Sequence, residues 1–135
     1  MNKNHYHIGM LILRVGFGIG FIYFHGWGKI TGGVERWKNL GGAMDHIGIH
    51  FGHTFFGFMA ALSETLGALL FASGLFFSPS CYFLAFTMAM ASLSHFVSGE
   101  GSPGNALKNF FLFTGLSFMD PGKYSLDYWF FRKNK

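Results

Sequence analysis

The residues of this sequence equipped for chemistry lie where charge is costly. Arg14, His25 and Lys29 interrupt an otherwise apolar run from Ile8 to Ile30, IGMLILRVGFGIGFIYFHGWGKI. At about 1.5 Å and 100° per residue, Arg14, Gly18, His25 and Lys29 fall within roughly a 60° arc of one helix face, spread over ~20 Å. Glu64 sits near the middle of a second apolar run, Thr54 to Phe77. An ionised group at the centre of a bilayer costs at least ~2.5–3.5 kcal/mol, so these side chains should face other helices or a wet cavity. A buried carboxylate needs a partner, and Glu64 is expected to meet Arg14 or His25. The chemistry on offer is hydrogen bonding and proton exchange. His25, Lys29 and, further along, Asn105 and Lys108 are donors suited to a carbonyl oxygen, while Glu64 and His95 can exchange protons.

Other chemistries find less support. His46, His50 and His53 stand at i, i+4 and i+7 beside Asp45, a spacing that could gather imidazoles around a divalent metal. Gly48 and Gly52 interrupt the helix that spacing would need, and solvated histidines at a membrane surface are the plainer reading. His25 and His95 could serve as an axial pair for a haem. The one cysteine, Cys81, excludes an internal disulfide, a C-x-x-C redox pair and a thiolate zinc cage. The basic residues collect at the termini and helix ends rather than along a soluble face, which excludes nucleic-acid binding despite a formal charge of +4.

The elements that must position these groups are membrane helices. Half of the 135 residues are hydrophobic, in blocks too long for a soluble core of this size. The pattern predicts an all-α protein: a membrane-embedded antiparallel four-helix bundle, one domain over residues 1–135. Its spans lie at about 8–30, 54–77, 79–97 and 104–119, with an amphipathic interfacial helix at about 33–47 between the first two. Lys3 ahead of an apolar run resembles a signal peptide, but Arg14 and the absence of a small-residue cleavage site predict that the run stays attached. Ser78 and Pro79 read as N-cap and first residue of the third span, and Asp120-Pro121-Gly122 stops the fourth. Lys3, Lys123, Arg132, Lys133 and Lys135 at the termini outnumber Arg36 and Lys38 in the first loop. The termini should therefore be cytoplasmic. With that topology His25, Lys29, Glu64, His95, Asn105 and Lys108 gather in the outer half of the bundle, and Arg14, Cys81 and Thr87 lie toward the inner ends.

At this point the chain resembles the DoxX family of small four-helix membrane proteins. The residues that carry the likeness are Arg14-x-Gly16 and Phe24-His25-Gly26-x-x-Lys29, then Trp37, Ile47 to Ile49, Glu64-x-x-Gly67 and Gly74-Leu75, and the closing Pro121-Gly122-Lys123-Tyr124-Ser125-Leu126-Asp127. The resemblance implies a place in a bacterial cytoplasmic membrane. It also implies either a membrane subunit of an oxidoreductase assembly, as in thiosulfate:quinone oxidoreductase, or an accessory, chaperone-type protein.

Three functions compete on the residues. In the first, a membrane redox subunit holds a quinone or another small lipophilic ligand, with Glu64 and His95 as catalytic groups and Arg14, His25, Lys29, Asn105 and Lys108 as ligand-binding ones. No side chain here carries electrons, so this function needs a cofactor or a redox partner protein. In the second, a non-enzymatic assembly factor or scaffold, the buried charges fix helix register against partners or a second copy of the chain. The third, a small-anion transporter, gains from the cationic outer cluster and loses from the lack of an inverted repeat.

Overall fold

The computed structural model describes residues 3–132, with side chains for residues 4–131. Lys133, Lys135 and the side chains of Lys3 and Arg132, which enter the charge count between the two sides, lie outside the described residues.

Every regular element among the described residues is helical. Helix α1 runs over Lys3–Phe21, widens into a π-helical turn at Ile22–Gly26 and resumes over Trp27–Ile30. Helix α2 covers Gly33–Gly41 and tightens into a 3-10 turn at Gly42–Ile47. Gly48 and Gly52, both left-handed at φ 83° and 67°, end it there and turn the chain into α3. Helix α3 is built like α1: His53–Leu62, a π turn at Ser63–Gly67, then Ala68–Ser73. Helices α4, Phe77–Ser98, and α5, Pro103–Ser117, follow. The described chain closes on a π turn at Tyr128–Arg132.

Three stretches, Asn4–Ile30, His53–Ser73 and Phe77–Ser98, are long and apolar enough to cross a membrane. At 15 residues α5 falls short of the ~20 that a spanning helix ordinarily uses. The start of α4 departs from expectation. The helix opens at Phe77, not at Pro79, and Ser78 is not its cap. The Asp127 carboxylate instead accepts the backbone N–H groups of Phe76 and Phe77 at 2.8 and 2.9 Å. Pro79 is tolerated in the first turn, where its missing N–H would have had no partner inside the helix.

Helices α1 and α3 pack antiparallel along the stripe that carries Arg14, Gly18 and Lys29. A methyl group on Gly18 would stand 2.6 Å from the Ala72 side chain, and one on Gly26 would run into the Glu64 carbonyl. The two π turns thus meet at Gly26, against the Glu64 carbonyl and the Thr65 methyl, which fixes the register of α1 on α3. Gly57 of α3 likewise admits the Trp37 carbonyl of α2.

The core is aromatic. Phe113 of α5, fully buried, meets Phe17 and Phe21 of α1 and Phe71 of α3 edge-on, with ring centres 5.3–5.7 Å apart, and Phe77 of α4 stacks on Phe71 at 5.4 Å. Edge-to-face contacts at these distances are favoured by the ring quadrupole. Ile12, Ile19, Phe83 and Phe111 point outward, 60–67 % exposed. So many large apolar side chains on the outside suit hydrocarbon and not water.

Candidate functional site

Glu64 is completely buried, and its partner is Lys29, not Arg14 or His25. Lys29 Nζ donates to Glu64 Oε1 at 2.8 Å and lies 2.6 Å from Oε2, an ion-pair contact that lacks hydrogen-bond geometry. Glu64 Oε2 therefore remains a buried acceptor without a hydrogen bond from the described residues. The pairing has a structural cause. Gly26 seats α1 against the Glu64 carbonyl, so the residue one turn further on, Lys29, comes level with the carboxylate. Trp37 of α2 holds that end of α1 by donating its indole N–H to the Lys29 carbonyl at 3.0 Å.

The pair stands on the wall of a cavity of about 800 Å³ formed by α1, α2, α3 and α4. Polar groups converge on it: His25 and Lys29, Ser63 and Glu64, Thr87, and Ser94 with His95 at the far end of α4. The His25 ring packs tilted against Phe21, with ring centres 4.8 Å apart, while His95 Nδ1 is engaged by the Glu100 carbonyl at 2.7 Å. Phe55, Met59, Phe83 and Phe86 also line the cavity and are exposed on the outside of the molecule, so its mouth opens between aromatic side chains toward the lipid-facing surface. Arg36 and Asn39 of α2 line its other edge. The arrangement offers a cationic donor, a carboxylate held against it and two imidazoles to a ligand of mixed polarity.

The remaining sequence candidates are elsewhere. Arg14 is completely buried but stands at the opposite end of the α1–α3 contact, where it donates to the carbonyls of Ala72 at 3.4 Å and Tyr124 at 3.1 Å. Asn105 and Lys108 are exposed on α5 and do not line the cavity. Sequence reasoning missed Ser63 and underrated Thr87, which donates to the Ser63 hydroxyl at 3.0 Å or to the Phe83 carbonyl at 2.9 Å. The signal was present, since hydroxyls in a span must find such partners.

His50 and His53 converge on Asp45 rather than on a metal-ligating set. Nδ1 of His50 and Nε2 of His53 each stand 2.9 Å from Asp45 Oδ1, His46 is not part of the contact, and no group of three or more ligating side chains with the geometry of a metal site occurs among the described residues. The His50 hydrogen bond, reinforced by His53, holds the Asp45 carboxyl below the usual carboxylate value. A lowered folded value means the contact stabilises the fold above the ordinary Asp value of about 3.9 and loses that contribution as pH falls through the folded value. Asp45→Asn should accordingly be less thermally stable than wild type at neutral pH, with the two converging in strong acid. A gap that persists unchanged at low pH would show that the carboxylate is not its source.

Compared with known proteins, the chain matches the DoxX family model over residues 9–96, well over half its length. No curated protein and no solved structure matches it.

Proposed function

This chain belongs to the DoxX family of integral membrane proteins, and on that premise we propose that it is a membrane subunit of a redox system that binds a quinone or a similar small lipophilic molecule in the cavity beside Glu64. In this reading α5 completes a four-helix membrane bundle, α2 lies amphipathically at the interface, and the protein sits in a bacterial cytoplasmic membrane with both termini cytoplasmic.

The observation that carries the proposal is the Lys29–Glu64 pair, buried and with one carboxylate oxygen lacking a hydrogen bond, at the wall of a cavity whose mouth faces lipid. A quinone carbonyl is an acceptor and matches the Lys29 ammonium or a His25 N–H. The hydroxyl of the reduced ring is a donor and matches Glu64 Oε2. Reduction takes up two electrons and two protons. The protons can pass through Glu64 and His95, and the electrons come from a partner protein or a bound cofactor, because these side chains do not carry them. Phe-rich walls at the mouth exclude water and admit a ligand from the bilayer.

A quinone-binding measurement in lipid nanodiscs tests this. Wild type should retain a benzoquinone above the level of empty nanodiscs. Lys29→Met, which loses the donor, should bind at least ~10-fold more weakly, in line with the loss of a charge-assisted hydrogen bond. Retention no higher than in empty nanodiscs would overturn the proposal. Capture of one stoichiometric protein partner by such a ligand-free preparation would point instead to an assembly factor, the reading favoured by the way Glu64 and Lys29 also lock α1 to α3.

A further inference from the structure

An apolar groove of about 290 Å³ lies between α3 and α4. Leu62, Leu66 and Leu70 of α3 form one side, and Phe76, Pro79 and Phe83 form the other. Met59, Ser63 and Phe83 line both this groove and the polar cavity, so the two spaces adjoin. Polarity changes sharply across the junction. On the cavity side are Thr87 and the Lys29–Glu64 ion pair. In the groove Ser63 is engaged by Thr87, and the other hydroxyl, Ser80, donates to the Phe77 carbonyl at 2.7 Å. Beyond the Ser63 hydroxyl at the junction, the groove offers little to a polar head.

We infer that the groove holds the apolar tail of the same molecule whose head occupies the cavity, which makes the ligand a single-tailed amphiphile with a ring-sized head. The inference rests on the reading of the cavity as a quinone-type site and adds to it a tail subsite that discriminates by chain. From Met59 to Leu70 the α3 side extends ~16 Å at about 1.5 Å per residue, long enough for an extended hydrocarbon chain. Bilayer hydrocarbon is as apolar as leucine, so a tail gains little merely by leaving lipid. Its preference for the groove comes from packing contacts with the leucine row, small singly and substantial together.

Two probes separate head from tail: a dimethoxy-methyl-benzoquinone bearing a decyl chain, and the same ring without it. Both are compared at equal mole fraction in phosphatidylcholine nanodiscs, with empty nanodiscs subtracted. Wild type should bind the tailed probe roughly 10-fold more tightly, the scale on which a modest set of packing contacts acts. Leu70→Trp and, independently, Leu66→Trp fill the groove and should bring that preference close to unity, while binding of the tail-less ring, which also reports correct folding, stays as in wild type. Equal binding of the two probes by wild type, or a preference that survives both tryptophans, would overturn the tail subsite and leave the cavity reading intact. Failure of wild type to bind either probe would overturn both.

Discussion

Glu64→Ala should destabilise the protein by about 3–5 kcal/mol, the usual cost of removing one member of a buried ion pair. The loss arises because Lys29 is left in an apolar wall with no counter-ion. Its side chain is 20 % exposed and can turn partly toward the interface, which places the expected cost at the lower end. Near 3 kcal/mol, the thermal midpoint in mild detergent should fall by roughly 10 °C for a chain of this size. Glu64→Gln keeps the shape and one acceptor but not the charge, so it should recover only part of the loss. The double variant Lys29→Met, Glu64→Gln removes both charges and should be more stable than Glu64→Ala, since neutral replacement of a buried pair is often harmless. Stability unchanged in all three would mean that the pair is solvated within a water-filled cavity, and the case for an open transport path would rise. A stable Glu64→Gln that still binds quinone but has lost turnover would assign the carboxyl to proton exchange.

The same pair shows what the sequence could and could not disclose. Apolar run lengths predict four spans, of which three are long and apolar enough to cross a membrane, and Gly48 and Gly52 mark the break before the second. The presence of a buried acid and a basic stripe is equally plain from Arg14, His25, Lys29 and Glu64. Which rung meets which was not legible, for two reasons. A wheel drawn at 100° per residue loses phase across a π turn, and α1 and α3 each contain one on the side where they touch. Register is also set by backbone contact at Gly26, a close approach with no periodic signature. The cavity needed two further facts that spacing does not carry: α2 closes one edge, and α5 stays away, leaving Asn105 and Lys108 outside. The role of Asp127 was hidden for a third reason. Its partners Phe76 and Phe77 are 51 and 50 residues distant, and hydropathy patterns carry no information about such contacts.

Removal of Arg14 is the other change expected to have a large effect, and it should act at the opposite end of the molecule from the cavity. The closing segment around Gly122 to Asp127 leaves its large apolar side chains, Tyr124 and Leu126, exposed and is held by polar ties. Arg14 donates to the Tyr124 carbonyl at 3.1 Å, the Asp127 N–H donates to the Gly74 carbonyl at 2.9 Å, and the Asp127 carboxylate caps α4. Tyr6 donates to the Asp120 carbonyl, and the Lys123 N–H reaches His7 Nδ1 at 3.2 Å. Arg14 is the fully buried member of this clasp, and Gly74, left-handed at φ 66°, makes room for its guanidinium. Arg14→Ala opens a cavity and strands two carbonyls, for which a loss of ~2–5 kcal/mol is expected. Arg14→Lys keeps a charge that can reach one carbonyl but cannot fork between two, so it should be intermediate. Gly74→Ala should resemble Arg14→Ala, because a methyl group there collides with both the guanidinium and Ser125 while forcing an L-residue into the left-handed region. The informative readout is local: hydrogen exchange across Gly122 to Asp127 should quicken in Arg14→Ala and Gly74→Ala, while quinone retention by the protein that remains folded is unchanged. Protection of that segment equal to wild type in both variants would show that Asp127 and the first helix hold it without Arg14. Loss of quinone binding in folded Arg14→Ala would instead return Arg14 to the ligand site.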